Sequence, residues 1–313
     1  MTGLFDSGIR WALYADLMLL FGLPLFGLYG APARRASAAP SARVWLGYAA
    51  LAVFGLGASL AGLVVTAATM AGIEPTAIDR ATLAMVATQT ALGTSVIVRC
   101  AGLVASIMAA WWLGRGGSSP ARAAIALGGA VALGSLAWGG HAAGGEGWTG
   151  MIHLGADIVH LGAAGAWLGA LGALLAMVLR SRGEPPAHPV GETHAALRRF
   201  AHTGSILVAL VVASGALNTA MLVGFANIAS LPATPYGQLL IAKLALFCAM
   251  LALAAANRFR LTPALAQAAT DADRAAALAA LRRSITLETG SAVLILALVA
   301  WLGTLEPPLA AAA

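Results

Sequence analysis

Residues 152–179, IHLGADIVHLGAAGAWLGALGALLAMVL, run for 28 positions with no lysine or arginine and a single carboxylate. A helix rising about 1.5 Å per residue crosses the roughly 30 Å of bilayer hydrocarbon in about 20 apolar residues, so this stretch is long enough to span a membrane. The whole chain agrees with it. Of 313 residues, 60% are hydrophobic and 10% charged, far from the roughly one quarter charged in soluble domains.

Seven further runs pass the same test, placing spans near 9–30, 44–71, 83–113, 121–141, 201–226, 237–257 and 284–304, with 152–179 as the fifth of the series. The expected fold is all-α, a polytopic membrane helical bundle of eight transmembrane helices forming a single integral membrane domain over 1–313. The N-terminus reads as a retained first helix, since it has no basic leader followed by a cleavage site. Residues 258–283 read as an alanine-rich helical connection on the cytoplasmic side. Abundant Gly and Ala, as in GALGALLAM, favour close helix approach. No inverted repeat of the kind common in secondary transporters is evident.

Basic residues set the orientation. Fourteen of the eighteen Lys and Arg lie in or beside the connections at 31–43, 114–122, 180–200 and 258–283, while the alternate connections hold only Arg10 and Arg80. Cytoplasmic loops are enriched in Lys and Arg, so both termini are expected outside, in the periplasm of a Gram-negative cell. The net charge of +6 belongs to this asymmetry and not to a basic patch on a soluble face, so no nucleic-acid partner is implied. The partner of the apolar surface is the lipid bilayer. Cys100 and Cys248 both fall in apolar runs and read as packing residues. No phosphate-binding GxxxxGK[ST] loop or soluble ATPase domain is present, and no enzyme activity is expected.

Within this frame the histidines divide. His188, His194 and His202 fall in or beside a basic connection and read as solvated or interfacial. His141, His153 and His160 fall on the opposite side, where ionisable groups inside a membrane face a bundle interior or a water-filled cavity. At about 100° per residue, Asp157 sits about 40° around the helix from His153 and His160 returns to within about 20° of it, so the three share one face. His153 and His160 are about 10.5 Å apart along the axis, too far to close on one ion without help. Asp157 can bridge them, or orient one imidazole while its other nitrogen binds metal. His141, with Glu146 and Met151 in the same connection, is the expected contributor from outside the helix. Met18, Met70, Met85, Met151 and Met221 map to the same side; thioether suits Cu(I), whereas imidazole with carboxylate also suits Cu(II) or zinc.

These residues make the sequence resemble the CopD family of copper-resistance inner-membrane proteins. The resemblance rests on WGGHAAG (138–144), HLGADIVHLGAAGAWLGALGAL (153–174), TALGTSVIVRCAG (90–102), TPYGQLLIAKLALFCAMLALAAANRFRLTPAL (234–265) and LRRSITLETGSAVLILALVAWLGTLEPP (281–308). Two positions depart from the pattern, Ala170 where a second glycine is usual and His202 where a small polar residue is. The resemblance implies copper handling at the inner membrane, described as uptake from the periplasm together with a small periplasmic copper carrier of the CopC type. It implies that His141, His153 and His160 belong to the metal site, with Asp157 and Met151 beside them, and that Arg99, Lys243 and Glu288 are transport or structural polar positions.

Three functions are therefore expected in order. The first is a permease moving a copper ion inward from an outer-facing His/Asp site, with methionine assistance. The second is a haem-binding membrane redox protein with axial His141 and His160, which an optical spectrum without a Soret band removes. The third is a non-transporting copper scaffold or a receptor for the carrier, which liposome flux separates from the first.

Overall fold

The structure, a computed structural model, describes residues 2–30, 41–139, 147–180 and 187–308. Its helices are α1 (Thr2–Tyr29), α2 (Ala42–Ala71), α3 (Arg80–Gln89), α4 (Ala91–Gly114), α5 (Ser119–Gly134), α6 (Gly147–Arg180), α7 (Ala187–Val223), α8 (Pro235–Ala256), α9 (Thr262–Gln267) and α10 (Asp271–Leu302), and no strand occurs among the described residues. Eight segments are long and apolar enough to cross a membrane: Asp6–Tyr29, Ala42–Ala71, Ala91–Gly114, Ser119–Gly139, Gly147–Leu179, Thr193–Val223, Pro235–Gln267 and Asp271–Leu302. The protein is an all-α, eight-span membrane bundle.

Two stretches depart from the sequence expectation. Residues 83–113 form two helices and not one. The chain turns extended at Thr90, whose Oγ1 accepts from the Gly93 amide at 3.0 Å and starts α4 afresh. Apolar composition continues through this break, so hydropathy passes over it, while a capping hydroxyl satisfies an orphan N–H of the new helix. The 258–283 connection is likewise not a helix of its own. α8 continues through a wider-wound turn at Asn257–Leu261 into α9, and α10 begins already at Asp271. There Thr270 and Asp273 form a reciprocal capping box, with Thr270 Oγ1 donating to Asp273 Oδ2 at 2.7 Å and accepting from the Asp273 amide at 3.1 Å.

At the centre α1 packs along α6, with α5 and α10 on either side. α1 and α6 cross where Gly22 meets Gly165 and Gly169; a Cβ on Gly169 would fall on the Gly22 backbone, and one on Gly22 would lie 2.8 Å from the Gly169 Cα. α4 and α5 touch in the same way at Gly102 and Gly128, where a Cβ on either glycine would lie 2.6 Å from the other's carbonyl oxygen. Without a hydrophobic driving force between helices in lipid, such van der Waals approach is what glues spans together. Ala170, the departure noted in the sequence, is fully buried in the cluster that holds Phe26, Leu174, Val178 and Leu281.

Candidate functional site

His153, Asp157 and His160 lie on α6 as the periodicity predicts, and the structure gives each a different setting. His153 is buried, Asp157 and His160 are half-buried, and Met151 on the first turn of α6 is exposed. His141 and Glu146 lie outside the described residues. Among the described residues no three His, Cys, Asp or Glu side chains converge as a metal-holding group.

What meets this face of α6 is α7. His160 Nδ1 lies 3.1 Å from Ser214 Oγ, and Ser214 Oγ in turn donates its proton to the Leu210 carbonyl at 2.5 Å. The ring also bonds the Val211 backbone, so α7 holds it at two points. A ring fixed by its neighbours is the usual setting of a metal-ligating histidine. Gly215 makes room for the ring: a Cβ there would lie 3.2 Å from His160 Cε1. One turn further along α7, Asn218 Nδ2 donates to Asp157 Oδ1 at 3.2 Å. Ser214 and Asn218, four residues apart in VVASGALNTA, were not singled out in the sequence; the signal was two polar residues at helical spacing in an apolar run.

His160 opens onto a cavity of about 470 Å³ between α6, α7, α8 and α10, lined also by Met18, Lys243, Phe247 and Met250. A second cavity of about 270 Å³ shares Trp167 and Leu171 with the first and reaches Asn257, Arg258 and Glu288. Trp167 stands between them, its ring edge-on to Phe247 and its indole N–H donating to Glu288 Oε1 at 3.2 Å. Asn257 Nδ2 donates to Glu288 Oε2 at 2.8 Å. Arg258 is turned toward α7, donating to the Ala201 carbonyl at 3.0 Å and to Ser205 Oγ.

Arg99 is placed elsewhere. It is buried, donating from Nη2 to Ser95 Oγ at 3.0 Å and from Nε to Ser135 Oγ at 3.1 Å, while Ser95 Oγ donates to the Ser135 carbonyl at 2.6 Å. The guanidinium ties α4 to the turn after α5. The ion pairs Arg10–Asp6 at 2.9 Å and Arg274–Asp271 at 3.3 Å lie at helix ends and include none of Arg99, Lys243 and Glu288. Asp16 on α1 escaped the sequence reading altogether: it is 4% exposed and neither of its oxygens has a hydrogen-bond partner among the described residues.

An imidazole and a carboxylate held by partners on the neighbouring helix, beside a cavity within eight apolar spans, define a polytopic helical membrane protein with polar groups inside its bundle. The chain belongs to the copper resistance protein D family. Residues 1–151 match the family profile described as Copper resistance protein D-like, N-terminal domain, and residues 194–302 match that of Copper resistance protein D. The chain is 40% identical over 305 residues to Copper resistance protein D of Pseudomonas syringae pv. tomato, covering 97% of each. It is 38% identical over 112 residues to Inner membrane protein YebZ of Escherichia coli (strain K12), 36% of each chain. No solved structure matches it.

Proposed function

We propose that the protein is a copper permease of the bacterial inner membrane, taking the ion from the periplasm toward the cytoplasm. The ion docks on the face of α6 formed by His153, Asp157 and His160, with Met151 contributing from the first turn of that helix and His141 from the connection before it. A periplasmic carrier of the CopC type delivers it, and the arginine-rich connections lie on the cytoplasmic side. The observation that carries the reading is His160: its ring is held by Ser214 of α7 and faces the cavity that Lys243 and Met250 also line. The two cavities on either side of Trp167 supply a course from His160 to Glu288. A channel-like path needs sites that bind strongly enough to admit an ion and weakly enough to release it, and one imidazole backed by a lysine meets both needs.

The test is a double substitution, His153→Ala with His160→Ala. Copper binding by the purified protein and copper accumulation by cells both fall, while membrane insertion is unchanged. Binding and uptake equal to the unsubstituted protein overturn the assignment.

A further inference from the structure

Glu288, 2% exposed on α10, is the most deeply buried carboxyl among the described residues. Each of its oxygens accepts from a neutral donor on a different span, Oε1 from the Trp167 indole N–H at 3.2 Å and Oε2 from Asn257 Nδ2 at 2.8 Å. Among the described residues no cation pairs with it. Arg258 lines the same cavity but is turned to the Ala201 carbonyl and Ser205 of α7. Lys243 lines the other cavity, beyond Trp167. On α10 itself Arg282 donates to the Val178 carbonyl at 3.3 Å, Arg274 pairs with Asp271, and Arg283 is exposed, as is Arg260. On α6, His153, Asp157 and His160 lie about two to four turns before Trp167. From α1, Arg10 pairs with Asp6 and reaches the Gly303 carbonyl past the far end of α10, while Asp16 Oδ2 stands against Gly55 of α2. α9 carries no charged side chain. A carboxyl inside a membrane needs a cation or a proton to offset its charge, and intramembrane carboxyls serve in proton relays.

The surroundings of Glu288 suit both of its protonation states. Ionised, it accepts from Trp167 and Asn257. Protonated on Oε2, it needs an acceptor, and Asn257 Oδ1 is buried with no partner among the described residues. An amide carries its donors on one side and its acceptor on the other, so a half-turn of Asn257 exchanges Nδ2–H···Oε2 for Oε2–H···Oδ1. One hydrogen bond is given up and one is made, and the only covalent bond that forms or breaks is the O–H at Oε2. Asn257 also opens the wider-wound turn Asn257–Leu261, and such turns inside helices recur at functional sites. Ser284, one turn before Glu288 on the same face of α10, is buried with its hydroxyl unpartnered among the described residues. A hydroxyl both accepts and donates, so it can hand a proton on. The cavity of about 270 Å³ that Glu288 lines reaches Ser205, Arg258 and Thr262.

We propose that Glu288 and Asn257 form a proton-exchange site, loaded and unloaded through the cavity that Arg258 lines. The proton passes between water and Glu288 Oε2, and the Asn257 amide turns with it. The role of the site rests on the permease reading above: positive charge arriving past Trp167 favours the carboxylate over the acid, so an entering cation drives the proton out. The existence of the site does not rest on that reading.

Infrared difference spectroscopy of the purified full chain tests this. A protonated-carboxyl C=O stretch disappears as pH is raised, and Glu288→Gln abolishes that band. Asn257→Leu keeps the carboxyl but removes its amide partner, moving the frequency of the band and shifting its midpoint by about one pH unit. Survival of every titrating carboxyl band in Glu288→Gln overturns the proposal. Should Glu288→Gln fail to fold, carboxyl bands all unmoved in Asn257→Leu overturn it equally. The titration contains no copper, so it is read whether or not the permease reading holds. Copper added where the band is present is expected to bleach it; a band that titrates with pH and ignores copper leaves the proton site standing and removes its link to copper.

Discussion

Gly22 and Gly169 meet backbone against backbone, so that the two central helices α1 and α6 approach with no side chain between them. The contact seats α6, which carries His153, Asp157 and His160, against α1.

Gly169→Ala therefore forces the helices apart. Overpacking of this kind costs about 1–3 kcal/mol, and thermal unfolding in detergent should show a lower melting temperature. Gly172→Ala is the control: a Cβ there would meet Leu19 at 3.5 Å and Leu23 at 3.6 Å, ordinary contact distances, and the melting temperature should not move.

Ser214 and the Val211 backbone hold the imidazole of His160, and Ser214 is the side-chain partner of the two. Loss of a partner that orients a metal-ligating histidine costs about 10- to 100-fold in affinity. Ser214→Ala is expected to weaken copper binding by that range, read by competition with a chelator, while leaving the histidine itself in place.

The eight spans were legible because hydrocarbon leaves little latitude: each crossing needs about 20 predominantly apolar residues. The face shared by His153, Asp157 and His160 was legible for a similar reason, since three positions on one helix fix their own geometry. The break at Thr90 was not, because Thr-Ala-Leu-Gly reads as tolerable in a helix until the cap is seen. Ser214 and Asn218 were hidden because small polar residues occur throughout membrane helices, and only the packing of α7 on α6 pairs them with His160 and Asp157. Asp16 gave no signal in the sequence, since its burial without hydrogen-bond partners among the described residues is a tertiary fact.

Outside the spans, Asp79 caps α3 by accepting from the Thr82 amide at 2.7 Å, and its bonds to Thr82 hold its carboxyl below the usual carboxylate range. A folded-state value depressed in this way stabilises the helix start above the unfolded value of about 3.9 and loses that stabilisation as pH falls through the folded value. Amide hydrogen exchange at Thr82 should thus be slower than in Asp79→Ala at neutral pH. The two should converge once the carboxyl is protonated.

Copper should stabilise the folded protein, because an ion bound only by the native state adds about 2.7 kcal/mol at a hundredfold excess over its Kd. The expected rise in melting temperature is diminished in the His153→Ala, His160→Ala variant, and chelation reverses it. An equal rise in that variant places the bound ion elsewhere.

Lys243 stands beside the ion's proposed first station, lining the same cavity as His160. A fixed positive charge there opposes a bound cation and keeps the station from becoming a trap, since conduction requires binding weak enough to leave. Lys243→Met removes that opposition while retaining a long side chain in the cavity. Equilibrium copper affinity of the purified variant is expected to rise by ~10-fold, the factor that about 1.4 kcal/mol supplies, and copper flux into proteoliposomes to fall. The opposite pair of changes, weaker binding with flux lost in proportion, would make Lys243 a support for the site and not the element that empties it.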